Sequence, residues 1–560
     1  MQIRLVVFIV LSLLLITTYQ YLFMPQQENL GKNGKISEGA KSSVKDSLPQ
    51  PESIPLSKEN ILKTITSPYP VQNQETIKDD FIKVDTELYT ARFSKRKAVL
   101  EELVLEKYKD ASGKGVRLIG KEKKDENSRT LDFALNQNSS SQRLIFDADK
   151  KLLSLNSSNT GGVINFISIP DASGLKVTKS LKFNNSSYLI NMHIEVENLS
   201  ESPASFSSQI FLGPSFYLGG ADESNAYGHF GPLIKNDGKV IREQTEKIKE
   251  PLIFSNGNVE WVGLESKYFL ASIMPEEEKT AGFMLNDKNK KSLVGIQTAV
   301  SKIKGRERLS RNYSVYIGPK EFNSLKALKL ENAIDFGWFG VVGIPLLKAL
   351  NFFNLYLKNY GLTIILITFI IKILFIPFTQ KSFKSMQAMQ KLQPQIKALK
   401  ERYKKEPQKL NQETMELYKK HKVNPVGGCL PMVFQIPVFI AFYNVLMNSI
   451  ELRGAPFFLW ISDLSAKDPY YVTPIIMGIT MFAQQKMSPT TADPKQAQIM
   501  LIMPVIFTFM FMSFPTGLVL YWTVNNILTI GQQYFIMGKF AAKETDDEKG
   551  KNRKKKNNDK

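Results

Sequence analysis

The sequence predicts a chain of several domains, in which an all-β sandwich is joined to an α-helical membrane core, with six membrane spans in total. Residues 77–320 alternate apolar and polar side chains between frequent turn residues, which is typical of β-strands. One apolar segment lies at residues 5–23, and five more lie within residues 361–538. A chain of 560 residues is also too long for one compact core.

The N-terminal part predicts a membrane anchor and a tether. Residues 1–24 contain the apolar run Leu5–Phe23 behind a short start that carries Arg4. No small-residue cleavage site precedes Pro25, so we expect an uncleaved anchor with a cytoplasmic N-terminus. Residues 25–76 are rich in Ser, Lys, Glu, Asn and Pro without periodicity, which predicts a flexible linker.

Residues 77–325 are predicted to form one large β-sandwich. Its clearest element is a hairpin, because apolar side chains alternate along Leu175–Phe183 and again along Tyr188–Val196. Similar strands are predicted in Trp261–Pro275 and Tyr313–Ile317. A single anchor precedes this domain, so we expect the sandwich to lie on the opposite side of the membrane from the N-terminus.

The rest of the chain is predicted to be helical. Residues 326–360 contain the amphipathic stretch Pro345–Lys358, which suits the outer membrane interface and equally a packed linker helix. Residues 381–424 show helical periodicity on both sides of a Glu-Pro break, which predicts a cytoplasmic helical hairpin. The five expected spans are Gly361–Phe378, Gly427–Met447, Tyr470–Gln485, Ala497–Phe514 and Leu518–Met537.

The distribution of charge predicts the orientation of these spans. Residues 381–422 carry twelve Lys or Arg against four Glu, and the tail at residues 539–560 is also rich in Lys. Basic loops stay in the cytoplasm, so both termini and the hairpin are expected there. Much of the formal net charge of +20 is thereby explained by topology. The basic faces are either solvated or in contact with anionic lipid or ribosomal RNA.

Several classes of function have little support. Cys429 is the one cysteine, and the three histidines lie outside the apolar segments, so we expect no metal site, no cofactor and no enzyme activity. Neither a His-Glu-x-x-His nor a Gly-x-Ser-x-Gly motif occurs. The predicted spans contain no Asp or Glu, which disfavours a coupled transporter and an intramembrane protease.

Lys372 is the one charge inside the span Gly361–Phe378. A central lysine costs about 2.5–3.5 kcal/mol on insertion scales, so such residues usually face a protein interior or a wet cavity. Lys372 also lies only about 10 Å along the helix from Thr379, where the polar run begins. Snorkelling of its side chain towards the interface therefore explains the residue equally well.

Other polar residues of the spans repeat at helical spacing. Thr368 lies four residues before Lys372. Gln435 lies within the span Gly427–Met447, the third when the N-terminal anchor is counted. One face of the last span carries Tyr521, Asn525, Thr529 and Gln532. Such faces predict a wet groove around Lys372, although ordinary hydrogen bonding between helices would give the same pattern.

Specific motifs carry a resemblance to a known family. The segments are Val423–Pro431, Gln435–Phe439, Asp463–Tyr471, Gln485–Thr491, Met503–Thr508 and Phe514–Trp522, with Phe216–Asp222 and Tyr316–Lys320 in the β domain. They are similar to the YidC/Oxa/Alb family of membrane protein insertases, most strongly over residues 336–537. The resemblance implies a periplasmic β-supersandwich, five core helices around a groove open to cytoplasm and lipid, and a mobile hairpin.

The resemblance also implies roles for particular residues. Gln435, Pro437 and Phe439 on the third span, and Tyr521 and Trp522 on the last, match positions of the family that contact substrate. Helix packing or an interfacial aromatic belt is the alternative explanation, notably for Trp522.

Position 372 departs from the common pattern of the family. Many members have Arg where this chain has Lys372. Lysine keeps the charge but lacks the planar fork of a guanidinium. Attraction of an acidic substrate tail is therefore expected to survive, whereas guanidinium geometry is lost.

The expected function is insertion of transmembrane segments from the cytoplasm into the bacterial inner membrane through a hydrophilic groove, alone or with the Sec translocon. Expected partners are nascent membrane proteins, the Sec translocon, the ribosome through the hairpin and basic tail, and membrane lipids. The alternatives are a tethered periplasmic domain that binds or modifies sugars, and a channel or transporter.

Overall fold

The computed structural model describes residues 58–59, 61–62, 80–110, 112–120, 128–137, 140–214, 229–276, 279–287, 289–337, 339–423, 430–487 and 494–535. The expected anchor at residues 1–24, most of the linker and the basic tail at residues 539–560 lie outside these ranges. In the described part of the chain, strands lie between residues 81 and 319, and every helix longer than six residues follows them.

The β domain is built from strands β1 to β21. Their bounds are Phe81–Asp85, Tyr89–Ser94, Leu100–Lys109, Gly115–Ile119, Asp132–Gln137, Ser140–Arg143, Phe146–Ala148, Leu152–Ser154, Gly161–Ser168, Leu175–Asn184, Leu189–Asn198, Ala204–Leu212, Gly231–Asn236, Lys239–Arg242, Leu252–Phe254, Val259–Glu265, Phe269–Pro275, Thr280–Asn286, Ser292–Thr298, Ser301–Ile303 and Arg308–Pro319.

The strands form three sheets. Five strands follow the order β4-β3-β2-β1-β8, and nine follow β14-β13-β16-β17-β21-β11-β10-β9-β7. The third sheet has seven strands: six follow β15-β18-β19-β12-β5-β6, and β20 pairs with β12. Strand β21 pairs with both β11 and β17 at the centre of the largest sheet. The centre of this sheet therefore depends on the pairing of β11 with β21, strands that lie more than one hundred residues apart in the sequence.

The predicted hairpin is confirmed. Strands β10 and β11 pair antiparallel, with Leu175 opposite Asn198 and Lys182 opposite Asn191. Alternate residues of β10 are buried, as a strand with one face on a core requires. Position 179 continues this buried face, yet it carries a lysine. The Nζ atom of Lys179 donates hydrogen bonds of 2.6 and 2.5 Å to the backbone carbonyls of Ala98 and Leu131, which satisfies the buried charge.

Helices α1 to α8 follow the strands. Their bounds are Phe322–Ala327, Gly340–Leu357, Tyr360–Arg402, Pro407–Lys420, Leu430–Asn448, Val472–Met487, Pro494–Phe511 and residues 516–535. By length and composition, α2 and α3 are long and apolar enough to cross a membrane, and α5 and α7 contain shorter apolar segments. Helices α5 to α8 overlap the other predicted spans.

Helix α3 is longer than the span predicted for it. Its N-cap is Asn359, whose side chain accepts a hydrogen bond from the backbone N–H of Leu362, and it ends only at Arg402. The predicted span and the first arm of the predicted hairpin are therefore one helix, with Pro377 and Pro394 inside it. Each proline removes one backbone hydrogen bond, and the remaining bonds of the neighbouring turns keep the helix continuous.

The β domain packs against the turn that follows α5. The carboxylate of Glu451 accepts a hydrogen bond of 3.3 Å from the backbone N–H of Phe322. The guanidinium of Arg453 lies 5.6 Å from the ring centroid of Tyr268 and 5.3 Å from that of Phe269, within the range of cation–π contacts. One end of α5 is thereby held by the β domain.

Candidate functional site

A small pocket lined by both polar and apolar side chains lies among α3, α5 and α8. It encloses about 440 Å³ of empty space, open solvent included. A single turn of an α-helix about 10 Å wide occupies roughly the same volume, so a substrate span does not fit inside the pocket as it stands. The lining residues are Thr368, Ile371, Lys372, Phe375, Phe378, Thr379, Gln435, Val438, Tyr521 and Asn525.

The ammonium group of Lys372 points across the pocket to α8. Its Nζ atom donates a hydrogen bond of 2.8 Å to Oδ1 of Asn525, and the side chain is half-buried. Among the described residues, no carboxylate forms an ion pair with Lys372. An ammonium has three N–H donors, so Asn525 leaves two of them for water or a substrate. The pocket therefore presents a cation that no carboxylate of the described residues neutralises.

A second hydrogen bond closes the pocket on the side of α5. Gln435 donates from Nε2 to the hydroxyl oxygen of Tyr521 at 2.9 Å. Tyr521 is fully buried, and its ring stacks on Phe442 with the two centroids 4.2 Å apart. Thr368 also lines the pocket, but its hydroxyl donates to the carbonyl of Ile364 in its own helix. These contacts hold the polar groups of three helices at one level.

The predicted groove residues do not all meet. Lys372, Thr368, Gln435, Tyr521 and Asn525 line the pocket. Phe439 and Trp522 lie in an aromatic cluster outside the pocket lining, and Pro437 belongs to neither.

The aromatic cluster joins α5, α7 and α8. The rings of Phe439 and Trp522 meet edge to face with centroids 4.9 Å apart, and Phe511 of α7 lies 5.4 Å from Trp522. Pro437 lies two residues before Phe439 within α5, and it lines neither the pocket nor the aromatic cluster. The contacts of Trp522 with Phe439 and Phe511 therefore support helix packing as an explanation of this residue. The role of Trp522 in substrate contact stays a prediction.

Sequence reasoning missed one contact near the pocket. The hydroxyl of Thr379 accepts a hydrogen bond of 2.5 Å from Nε2 of Gln532. Gln532 was recognised on the polar face of the last span, but its partner was not. The available signal was the spacing, because Thr379 follows Lys372 by seven residues just as Gln532 follows Asn525.

The β domain contains a buried cluster of charges. Glu265 accepts hydrogen bonds from His229 Nδ1 at 2.9 Å, Arg242 Nε at 2.8 Å and Lys320 Nζ at 2.5 Å. Burial alone would raise the pKa of Glu265, but the ion pair with Lys320 and the other donors hold it at about 2. The carboxylate is enclosed by its partners, and His193 lies elsewhere, beside Asn312. The two histidines therefore do not form an acid/base pair.

Comparisons with known proteins agree with this architecture. The profile of the 60Kd inner membrane protein family matches residues 352–544, and that of the YidC periplasmic domain matches residues 81–349. The membrane protein insertase YidC of Geotalea uraniireducens (strain Rf4) is 40% identical over 96% of this chain and 99% of its own length. The corresponding protein of Syntrophus aciditrophicus (strain SB) is 42% identical over 82% and 85%, respectively.

A solved structure gives a weaker match. The active YidC insertase crystal structure with the first transmembrane domain resolved covers 82% of this chain and 95% of that one, with 19% identity and a TM-score of 0.37.

This chain has an all-β domain followed by helices that surround the pocket with Lys372, and its relatives are named as insertases. Together these findings define the class: a bacterial membrane protein insertase of the inner membrane with a periplasmic domain. The chain belongs to the YidC family. Its substrates are accordingly membrane proteins, and its activity is insertion rather than enzymatic turnover.

Proposed function

We propose that insertion proceeds through the pocket around Lys372. The polar tail of a substrate enters from the cytoplasm and meets the ammonium group, while the adjoining apolar segment passes sideways into lipid. The observation that carries this proposal is the hydrogen bond of Lys372 to a neutral partner, Asn525, while no carboxylate of the described residues forms an ion pair with the ammonium group. We assign the substrate groove to Lys372, Thr368, Gln435, Pro437, Phe439, Tyr521, Trp522 and Asn525.

The attraction between the groove and an acidic tail is moderate. A substrate carboxylate about 6 Å from Nζ of Lys372 gains roughly 3 kcal/mol at an effective dielectric constant near 20. Partition of the substrate's own span supplies more, since about 20 residues at roughly 0.3–0.6 kcal/mol each sum to on the order of 6–12 kcal/mol. The cation therefore guides the tail, and burial of the span drives insertion without an external energy source.

We also propose a topology of six spans with both termini in the cytoplasm. The basic composition of residues 381–422 supports a cytoplasmic position for the turn between α3 and α4. The division that we propose is residues 1–24 as anchor, 25–76 as linker, 77–325 as periplasmic β-supersandwich, 326–360 as interfacial helix, 361–538 as insertase core with the hairpin 381–424, and 539–560 as basic tail.

The proposed partners beyond the substrates are the Sec translocon, the ribosome and anionic lipids. Helix α4 is mostly exposed, and lysines lie along α4 and the neighbouring end of α3. Such a surface suits the phosphates of ribosomal RNA or of lipid headgroups. Cooperation with the Sec translocon is proposed from the resemblance of the chain alone.

The test is insertion of a small membrane protein with an acidic periplasmic tail into liposomes that contain the full-length chain. We compare the unaltered protein with Lys372→Ala and Lys372→Arg. Loss of insertion by about 100-fold, the equivalent of roughly 3 kcal/mol, is expected for alanine, and retention within a few-fold for arginine.

Lys486→Ala is the matched control, because it removes a cation that lies over the ring of Phe482 and outside the pocket. Full activity of Lys372→Ala would contradict the proposal, and Lys372 would then be a snorkelling residue.

A further inference from the structure

Helix α8 is joined to α3 by two side-chain hydrogen bonds at matched spacing. Lys372 donates to Asn525 at 2.8 Å, and Gln532 donates to Thr379 at 2.5 Å. Both partners advance by seven residues from the first bond to the second, about 10.5 Å along each helix. Two helices keep such a register only when they run parallel at a small crossing angle. We name this contact the α3–α8 seam.

An adjoining face of α8, about 100° around the helix, repeats the arrangement with α6. Asn526 donates from Nδ2 to the hydroxyl of Thr480 at 3.2 Å, and Gln533 donates from Nε2 to the backbone carbonyl of Met487 at 2.8 Å. Both partners again advance by seven residues. We name this contact the α6–α8 seam. Asn525–Asn526 and Gln532–Gln533 are thus two adjacent amide pairs, and each pair reaches α3 on one face and α6 on the adjoining face.

The chemistry of the two threonines makes the donors unambiguous. The hydroxyl of Thr379 donates to the carbonyls of Phe375 and Ile376, and that of Thr480 donates to the carbonyl of Met477. Each hydroxyl has therefore spent its only hydrogen within its own helix and can only accept from an amide of α8.

Opening a seam would leave polar groups unpaired in an apolar surrounding. Asn526 and Gln533 are both at least 97% buried, since they retain 3% of their accessible surface. Lipid offers no hydrogen-bond partners to replace the lost ones. The aromatic rings that join α7 to α5 and α8 are different, because another apolar surface can replace them without leaving a polar group unpaired.

We propose that α3, α6 and α8 form a fixed frame, whose two polar seams stay closed while a substrate passes. Gln532 and Gln533 are its positioning residues, and they hold the level of Lys372 and Asn525 relative to the rest of the core. The pocket holds no more than about one helical turn, so it must widen, and the frame restricts this widening to contacts outside the seams. This inference rests on the proposed function of the pocket.

The test is reversible cross-linking of the seams in the full-length protein. Cys429→Ser first removes the native thiol, and Thr480→Cys with Asn526→Cys then places one pair across the α6–α8 seam. Thr379→Cys with Gln532→Cys does the same for the α3–α8 seam. A short reagent with two thiol-reactive ends joins each pair by forming a disulfide bond with each cysteine. A reducing agent cleaves these disulfide bonds again. Insertion into liposomes is measured before cross-linking, after it and after reduction.

Each variant is compared with its own reduced form, so any effect of the substitutions cancels. The expected result is that cross-linked and reduced forms insert the substrate at rates within about two-fold. A loss of ten-fold or more that reduction restores would overturn the proposal. If a double-cysteine variant does not insert the substrate even when reduced, its cross-linking yield is compared with and without a substrate stalled in the groove. An equal yield supports seams that stay closed. A several-fold lower yield in the presence of the substrate contradicts the proposal.

The two proposals fail in different ways. A groove that does not need its cation is revealed by full activity of Lys372→Ala in the uncross-linked protein. A frame that opens is revealed only by the difference between cross-linked and reduced forms.

A further readout separates positioning from bulk stability: Gln532→Met keeps roughly the length of the side chain but has no N–H to donate to Thr379. The expected result is a several-fold loss of insertion at a temperature well below the melting transition of the variant. Gln532→Asn, which keeps the donor on a shorter side chain, is expected to lie between Gln532→Met and the unaltered protein. Unchanged insertion by Gln532→Met would remove Gln532 from the frame.

Discussion

Asn525→Asp places a carboxylate beside the groove cation and tests the electrostatic reasoning directly. The new oxygen would lie about where Oδ1 of Asn525 now lies, 2.8 Å from Nζ of Lys372. A substrate carboxylate about 6 Å from Nζ then also meets a like charge roughly 7 Å away. At an effective dielectric constant near 20, the attraction of about 3 kcal/mol is opposed by about 2.4 kcal/mol of repulsion. Nearly all of the guidance is lost.

The predicted consequence is a fall of about 50-fold in the insertion of a substrate with an acidic tail, since 1.36 kcal/mol corresponds to a factor of ten. The assay is insertion into liposomes of two substrates that differ only in having Asp or Asn in the tail. The neutral tail is expected to insert at nearly the unaltered rate, so the variant specifically removes the preference for acid.

Asn525→Leu is the matched control, because it removes the hydrogen bond to Lys372 without adding a charge. It is expected to keep the preference for the acidic tail. If Asn525→Asp inserts both substrates as well as the unaltered protein does, the ammonium group of Lys372 does not attract the tail, and the electrostatic account is refuted.

Three further predictions concern stability, and each is checked by unfolding of the purified full-length protein. Burial lowers the pKa of Lys179 to about 7, so the unfolded chain binds more protons between about pH 7 and its ordinary pKa of 10.5. Stability is expected to rise with pH across this window, and Lys179→Met to flatten that rise; an equal slope in both proteins would contradict it. Glu265→Gln is expected to cost about 3–5 kcal/mol because it removes the buried carboxylate that pairs with Arg242 and Lys320. The lowered pKa of Glu265, about 2, also predicts that its contribution is present above about pH 4.5 and is lost as the pH falls towards 2, a loss that Glu265→Gln should not show. Gly478→Ala drives a methyl group into the side chain of Thr508 and is expected to cost about 1–3 kcal/mol, whereas an unchanged midpoint would mean that α6 and α7 separate freely.

The positions of the strands and helices were largely predictable from the sequence. Alternation of apolar residues marked β10 and β11, and long apolar runs marked α3 and α5 to α8, because burial on one face or all round leaves a periodic trace in composition. Helix ends were less predictable. The predicted span ended at Phe378 because the polar run begins at Thr379, but α3 continues to Arg402. Pro377 does not end the helix either, since a proline removes only one backbone hydrogen bond.

The burial of Lys179 in the β domain was not predictable. Lys179 interrupts the apolar face of β10, and nothing in the local pattern indicates that two backbone carbonyls accept hydrogen bonds from its ammonium group. Those carbonyls belong to Ala98 and Leu131, which lie 81 and 48 residues away along the chain. Such a contact depends on the packing of strands that are distant in sequence.

The sequence by itself determined the class of this protein: its β domain, its apolar helices, its basic segments, and the polar faces on which Lys372 and Asn525 lie. These features are local, because periodicity, charge and motif are properties of neighbouring residues. Only the tertiary structure decided that Lys372 meets Asn525, that Gln435 meets Tyr521, and that Phe439 and Trp522 lie in a separate aromatic cluster. The rotation and register of helices separated by up to 153 residues follow from packing of the whole core, which no local pattern records.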